Sequence, residues 1–320
     1  MLRRHFLAGG AGLAAAGAVT QANAADAPTL TGPYIDLTTG KGNMILRARM
    51  AGDLDESKVK YGSVTGIVSG VRPGEKVKDL VGFEVVSVGR NERQPDGTYR
   101  NLHRESILYT DLATGEILSD YVNPYLDEKV RVVDVTNDPW NIHIAEYVNV
   151  GGPSYGGLNE EANAGRKEYI LNWSHSGNGM ITALTNINLY YPSALTPDKW
   201  LRESSGAMNR VSECYTHVIS LADVQNENLT SVKKTGTWSR VTPWLPWMLM
   251  GQAPGHCLYQ STVTSLDGID GFKKPVLAYM EKHYPHMLEA PPPESWDKPN
   301  LSSIEWYART EEPAPMKAGS

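Results

Sequence analysis

The sequence predicts a mainly β chain, an antiparallel barrel or sandwich of lipocalin-like kind, with a Trp-rich capping loop and a short C-terminal helix. Three observations predict it. Short apolar segments recur from about residue 42 to 190, punctuated by Gly, Asn, Asp and Pro, which is the pattern of consecutive antiparallel strands. Aromatic usage is skewed, with 16 Tyr and 8 Trp against 3 Phe. Tyr and Trp join an apolar body to a polar tip and suit the wall of a wet cavity, although Tyr decorating strands around an aliphatic core gives the same composition. Finally, no phosphate loop or dinucleotide fingerprint appears, so the expected site needs no cofactor.

Residues 1–24 come first and read as an export signal rather than as part of the fold. Arg3-Arg4 precede Phe6-Leu7, an Ala/Gly/Leu run continues to Val19, and Ala22-Asn23-Ala24 offers a small-x-small cleavage site. The paired arginines resemble the twin-arginine type, and a Sec signal with two basic residues fits as well. Either places the mature chain in the periplasm or outside the cell. The net charge is −6 and becomes two units more negative once Arg3 and Arg4 leave, which disfavours nucleic acid and anionic membranes as partners. No later stretch has the ~18 apolar residues of a membrane span, so no membrane anchor is expected, and the partners are the export machinery and a small ligand.

The rest is read as a single domain over 25–320. Residues 81–90 form a strand, Gln94-Pro95-Asp96-Gly97 its turn, and 99–110 the hairpin mate. Strands follow at 116–122, 129–136 and 141–149, and then a glycine-rich loop runs to Gly165. Residues 168–175 and 180–191 make the next hairpin around Gly177-Asn178-Gly179. A short helix is expected at 196–202, opened by Pro197. Residues 211–221 fit a strand or a helix. Residues 237–251 carry three Trp, two Pro and two Met and suit neither a helix nor a central strand. A strand at 256–264 and a helix at 275–283 follow, the latter with Leu277, Met280 and Tyr284 three to four apart. The proline-rich tail after Pro291 is expected to wrap the surface.

Asn123-Pro124-Tyr125, the block from Thr237 to Met248 and Pro254-Gly255-His256 resemble the DUF1838 family over most of residues 30–310. The resemblance implies an exported bacterial protein of unknown function. It supplies no catalytic residues.

Candidate chemistry comes from strand alternation, because residues two apart share a face. On 99–110 one face carries His103, Glu105 and Tyr109, a His-x-Glu pair suited to proton transfer. On 141–149, His143 lies with Tyr147; on 168–175, Trp173 lies with His175; on 211–221, Glu213 lies with Tyr215 and His217. In the capping loop, Trp244, Trp247 and Met248 offer an apolar wall. Arg240 suits a carboxylate or phenolate of a ligand, or equally an internal acid. His256 opens the next strand. The expected catalytic set is therefore His103, Glu105, His143, His217 and Arg240. Tyr109, Tyr147, Trp173, His175, Tyr215, Trp244, Trp247 and His256 are the expected ligand contacts. A lone His on a strand is more often structural than catalytic.

Weaker signals compete. Gly152-Pro153-Ser154-Tyr155-Gly156 fits a nucleophile elbow, but its flanks look antiparallel. Cys214-x-x-His217 with His256-Cys257 makes a zinc set only if position 214 is not on a strand, and no metal is expected. Cys214 and Cys257 form either a disulfide or two buried thiols. The function expected is a periplasmic, cofactor-free lyase or isomerase acting on a small apolar or aromatic compound by His/Glu acid–base chemistry. The alternative is a non-catalytic small-molecule or carbohydrate binding protein.

Overall fold

The computed structural model describes residues 30–149 and 166–316. In chain order its helices are α1 (Gly40–Ala51), α2 (Leu221–Gln225), α3 (Lys274–His283) and α4 (Ser303–Thr310). The strands are β1 (Lys60–Val71), β2 (Lys78–Arg93), β3 (Tyr99–Thr110), β4 (Asp120–Asn123), β5 (Glu128–Arg131), β6 (Val135–Asn137) and β7 (Ile142–Ile144). They continue with β8 (Tyr147–Asn149), β9 (Arg166–Glu168), β10 (Asn172–Gly177), β11 (Met180–Pro192), β12 (Met208–Ser220), β13 (Thr235–Thr242) and β14 (His256–Leu266).

Ten strands form one antiparallel sheet in the order β10-β11-β12-β13-β14-β1-β2-β3-β6, with β7 also on β3. The β4-β5 and β8-β9 pairs stand apart as ribbons. The expected antiparallel β chain is found, but not a closed barrel: β10 lies at one end of the sheet and β6 and β7 at the other, and they do not pair. The β2–β3 hairpin is the long, regular centre, from Gly82↔Thr110 to Arg93↔Tyr99. Its turn works because Gly97 accepts φ 86°, while Asp96 bonds the Thr98 amide and hydroxyl at 3.0 and 2.7 Å.

Strand β2 is buried on both faces. Val81, Phe83 and Val85 join the core of the inner face with Tyr109, Trp238, Trp244, Trp247 and Tyr259. Val86 and Val88 lie under α3, against Val276 and Met280. Gly66 is required where β1 crosses Phe83, because a Cβ there would come within 2.8 Å of the ring. That space lets Phe83 pack edge-on against Trp238 and Tyr259, at 5.9 and 5.0 Å between centroids.

Several segments depart from expectation. Residues 40–51 are helical, although strands were expected from about residue 42. Helix α1 has no amphipathic stripe to read: Asn43 and Arg49 are buried together with Met44, Leu46 and Met50. Arg49 earns its burial by donating to the carbonyls of Asp223, Val224 and Asn226 at 2.7–3.1 Å, which caps the C-terminal end of α2. The ambiguous 211–221 segment is strand up to Ser220, whose hydroxyl then accepts from Asp223 N to start α2. Residues 237–242 are strand, and only from Pro243 onward is the Trp-rich block irregular. The expected helix at 196–202 is a series of turns. The tail contains α4, started by a Ser302/Glu305 capping box and held by buried Ile304 and Tyr307.

Both cysteines are free thiols. Cys214 pairs with Ser239 and Cys257 with Thr242, three residues further along β13, so the two side chains leave opposite faces of the sheet and cannot join.

Candidate functional site

The inner face of the sheet surrounds two adjoining lobes of a cavity. The larger, about 430 Å³, is lined by Val64, Val85, Glu105, Ile107, Asn137, Trp140, Ile187, Leu189, Tyr191, Val211, Glu213, Tyr215, Trp238, Arg240, Ser302 and Ser303. The smaller, about 260 Å³, is lined among others by Lys60, Ser87, His103, His217 and Lys234. Val64, Glu105, Trp140 and Tyr215 border both. Residues from β3 and β6 face residues from β11 across this space, so the sheet curls around it although its ends do not pair. Trp140 and the start of α4 line the gap.

Period-2 alternation places the chemistry. His103, Glu105, Ile107 and Tyr109 leave one face of β3; Glu213, Tyr215 and His217 leave the matching face of β12; Trp238 and Arg240 leave that of β13. Register brings Glu213 opposite Arg240 and Tyr215 opposite Trp238. Glu213 is fully engaged. It accepts from Tyr215 Oη at 2.9 Å and from Trp238 Nε1 at 3.3 Å, and its other oxygen faces Arg240 Nε at 3.4 Å. Burial opposes the Arg240 charge, but Glu213 and the Tyr259, Tyr191 and Tyr215 phenols outweigh it and hold the guanidinium above its ordinary value. Arg240 therefore pairs with an internal acid, the second of the two roles expected for it.

Glu105 is different. Its carboxyl makes no hydrogen bond or ion pair with any described residue, and burial, reinforced by the charge of Glu213, raises it from 4.5 to about 7. Lys234 and Arg240 only partly offset this. The histidines move the other way. Burial first, then Lys234, lowers His103 to about 4 and His217 to about 3. His103 Nε2 lies 2.7 Å from Ser87 Oγ, and its backbone is fixed by Asn141 and Trp140. Both rings are thus neutral around pH 7, while Glu105 is poised to exchange a proton there. The phenols of Tyr109 (pushed up to about 12 by burial) and Tyr259 share a 3.2 Å hydrogen bond.

Other expected residues lie elsewhere. His143 sits opposite Arg100, on the outer face of β3, and is exposed with its ring against Trp296. His175 is exposed on the end strand β10 and Tyr147 is exposed on β8. Trp173 is half-buried and donates to Asn43 Oδ1 at 2.8 Å, packing under α1. His256 alternates with Cys257 and leaves the outer face, so the Cys214/His217/His256/Cys257 zinc set is split across the sheet. No group of three His, Cys, Asp or Glu suited to a metal occurs among the described residues. Trp244 and Trp247 are buried, with Tyr109, Arg240 and Tyr259, around a void of about 20 Å³ beyond the larger lobe. Trp247 packs edge-on against Tyr109 and Tyr121 at 5.2 and 5.9 Å. The Gly152–Gly156 motif and the export signal lie outside the described residues.

The residues that sequence reading did not single out are Lys234, Trp238, Tyr191 and Tyr259. Trp238 had a usable signal, because it shares strand parity with Arg240. Lys234 had none, since a Lys233-Lys234 pair reads as a solvated turn.

No curated protein matches the chain. A family model described as "Protein of unknown function (DUF1838)" matches residues 60–311. With that match spanning most of its length, the chain belongs to the DUF1838 family.

Proposed function

We propose that the protein is an acid–base enzyme, an isomerase or lyase, that moves a proton at carbon in a small, largely apolar or aromatic compound held in this cavity. One observation carries the reading: Glu105 is an unpaired carboxyl, raised to about 7, at the border of two lobes walled by aromatic and aliphatic side chains. A general base works best when its pKa is near the operating pH, and burial in an apolar wall is how a carboxyl reaches that range. Glu105 takes a proton next to an electron-withdrawing group of the substrate. It returns that proton at a second carbon in an isomerase, or keeps it while a leaving group departs in a lyase. The neutral His103 ring, fixed by Ser87, supplies a polar contact to the charge that develops, while the Tyr215 hydroxyl stays committed to Glu213. In this reading the lipocalin-like feature is the curled sheet around a ligand, and the Trp244–Trp247 segment caps its apolar end. Export to the periplasm is part of the same proposal and rests on residues 1–24.

The test uses proton exchange rather than a guessed product. Small aryl ketones and unsaturated cyclic ketones are incubated with the protein in D₂O, and loss of the acidic C–H signal is followed by NMR. The expected result is exchange by the wild type and a loss of at least 100-fold in Glu105→Gln, in line with removal of a general base. Binding without exchange, unchanged by Glu105→Gln, would favour the carrier alternative.

A further inference from the structure

We propose that the smaller lobe is a carboxylate-binding subsite, in which Lys234 receives the anionic end of a ligand whose apolar body fills the larger lobe. This deepens the reading of the cavity as a substrate site and rests on it.

Among the described residues, the other cations that face the interior are already committed. Lys60 Nζ donates to Arg49 O, Ser231 Oγ and Val232 O at 2.6–2.9 Å. Arg240 faces Glu213, and Arg49 caps α2. The Lys234 ammonium alone makes no hydrogen bond or ion pair with any described residue, yet it lines the smaller lobe. Burial lowers its pKa, and among the described residues the charge that favours its protonated form is Glu105, which does not reach it as an ion pair. Lys234 is half-buried, and a cation without a partner in a partly dehydrated lobe is disfavoured, so a ligand anion would supply what the protein leaves out.

The neighbourhood suits such a ligand. Among the described residues, Glu105 is the only acidic side chain bordering the smaller lobe, and it borders the larger one as well. His103 and His217, held neutral, bring polar edges without adding charge. Two lysines line this lobe, but Lys60 is held by the Arg49 and Val232 carbonyls and Ser231, so Lys234 is left to match one negative charge; a phosphate dianion would bring surplus negative charge toward Glu105. A carboxylate on Lys234 leads its carbon skeleton past Glu105 into the lobe walled by Trp238, Tyr215, Ile187 and Leu189. The substrate class is therefore a small apolar or aromatic monocarboxylic acid.

Titration calorimetry at pH 7.5 with phenylacetate, its neutral analogue phenylacetamide, and phenyl phosphate tests this on the whole chain. The expected result is at least tenfold tighter binding of phenylacetate than of phenylacetamide. That preference is lost in Lys234→Met, and kept in Lys234→Arg and in Glu105→Gln. Equal affinity for acid and amide, binding of neither, tighter binding of phenyl phosphate, or an undiminished preference in Lys234→Met would each overturn the proposal. If Lys234→Met does not fold, the three-ligand comparison on the wild type decides alone. Because Glu105→Gln keeps the preference, failure of the subsite and failure of the acid–base reading give different results.

Discussion

Replacing Glu105 by Gln should make the protein more stable above neutral pH and change nothing in acid. The carboxyl is raised from 4.5 to about 7 because it is buried without a partner beside Glu213. Between these values the unfolded chain has released the proton and the folded one still holds it. Stability therefore falls as pH rises through this window and stays low above it. A shift of about 2.5 units at ~1.36 kcal/mol each amounts to about 3 kcal/mol. The isosteric amide removes the titration while filling the same space. At pH 4 the two proteins should unfold alike; at pH 8 the variant should gain about 3 kcal/mol, or roughly 5 °C or more in melting temperature. Guanidinium unfolding from pH 4 to 8.5 measures this. A difference that does not vary with pH, or a wild type that is the more stable at pH 8, would refute the account of Glu105 as a strained, unpaired carboxyl.

Other expectations follow from the same geometry. His217, lowered from 6.5 to about 3, stays neutral in the fold while the unfolded chain protonates, so its contribution is complete above pH 6.5 and is lost as pH falls. His217→Asn should flatten the stability profile between pH 6 and 4 by about 1.4 kcal/mol per pH unit, seen by denaturant titration; an unchanged slope would count against a neutral buried ring. Lys234→Met should raise the titration midpoints of both His103 and His217, followed by NMR of the ring protons, because Lys234 helps to lower each. In the native protein a thiol reagent should modify Cys214 alone, since Cys257 is buried and pushed up to about 12; guanidinium should release the second thiol. The mature protein recovered from the producing cell should start at Ala25 and lie outside the cytoplasm, and N-terminal sequencing of the periplasmic fraction checks both.

How much of the fold was legible depended on where the pattern had a simple period. The 99–110 strand was readable to the residue because it alternates and is flanked by a Pro-Asp-Gly turn. Helix α1 was not, because its buried positions run around the cylinder, and Asn43 and Arg49 are buried through hydrogen bonds to distant backbone. In the site, parity alone puts His103, Glu105 and Tyr109 on one strand face; for Tyr215 and His217 it applies only once 211–221 is strand, and the structure decides both that and which face meets the cavity. Parity failed for His143, since the face it occupies depends on pairing with Arg100, and register between strands is a long-range property.

The sequence by itself determined the antiparallel β character and the placing of a histidine and a glutamate on one face of one strand, because side-chain alternation is a local property of extended backbone. Only the tertiary structure decided that the sheet stays open and which acid is free. Glu213 and Glu105 look alike in the chain. Register gives Arg240, Tyr215 and Trp238 to Glu213 and leaves Glu105 and Lys234, half-buried at the cavity wall, without partners among the described residues, and it is this unequal sharing of contacts that makes the cavity a candidate for chemistry.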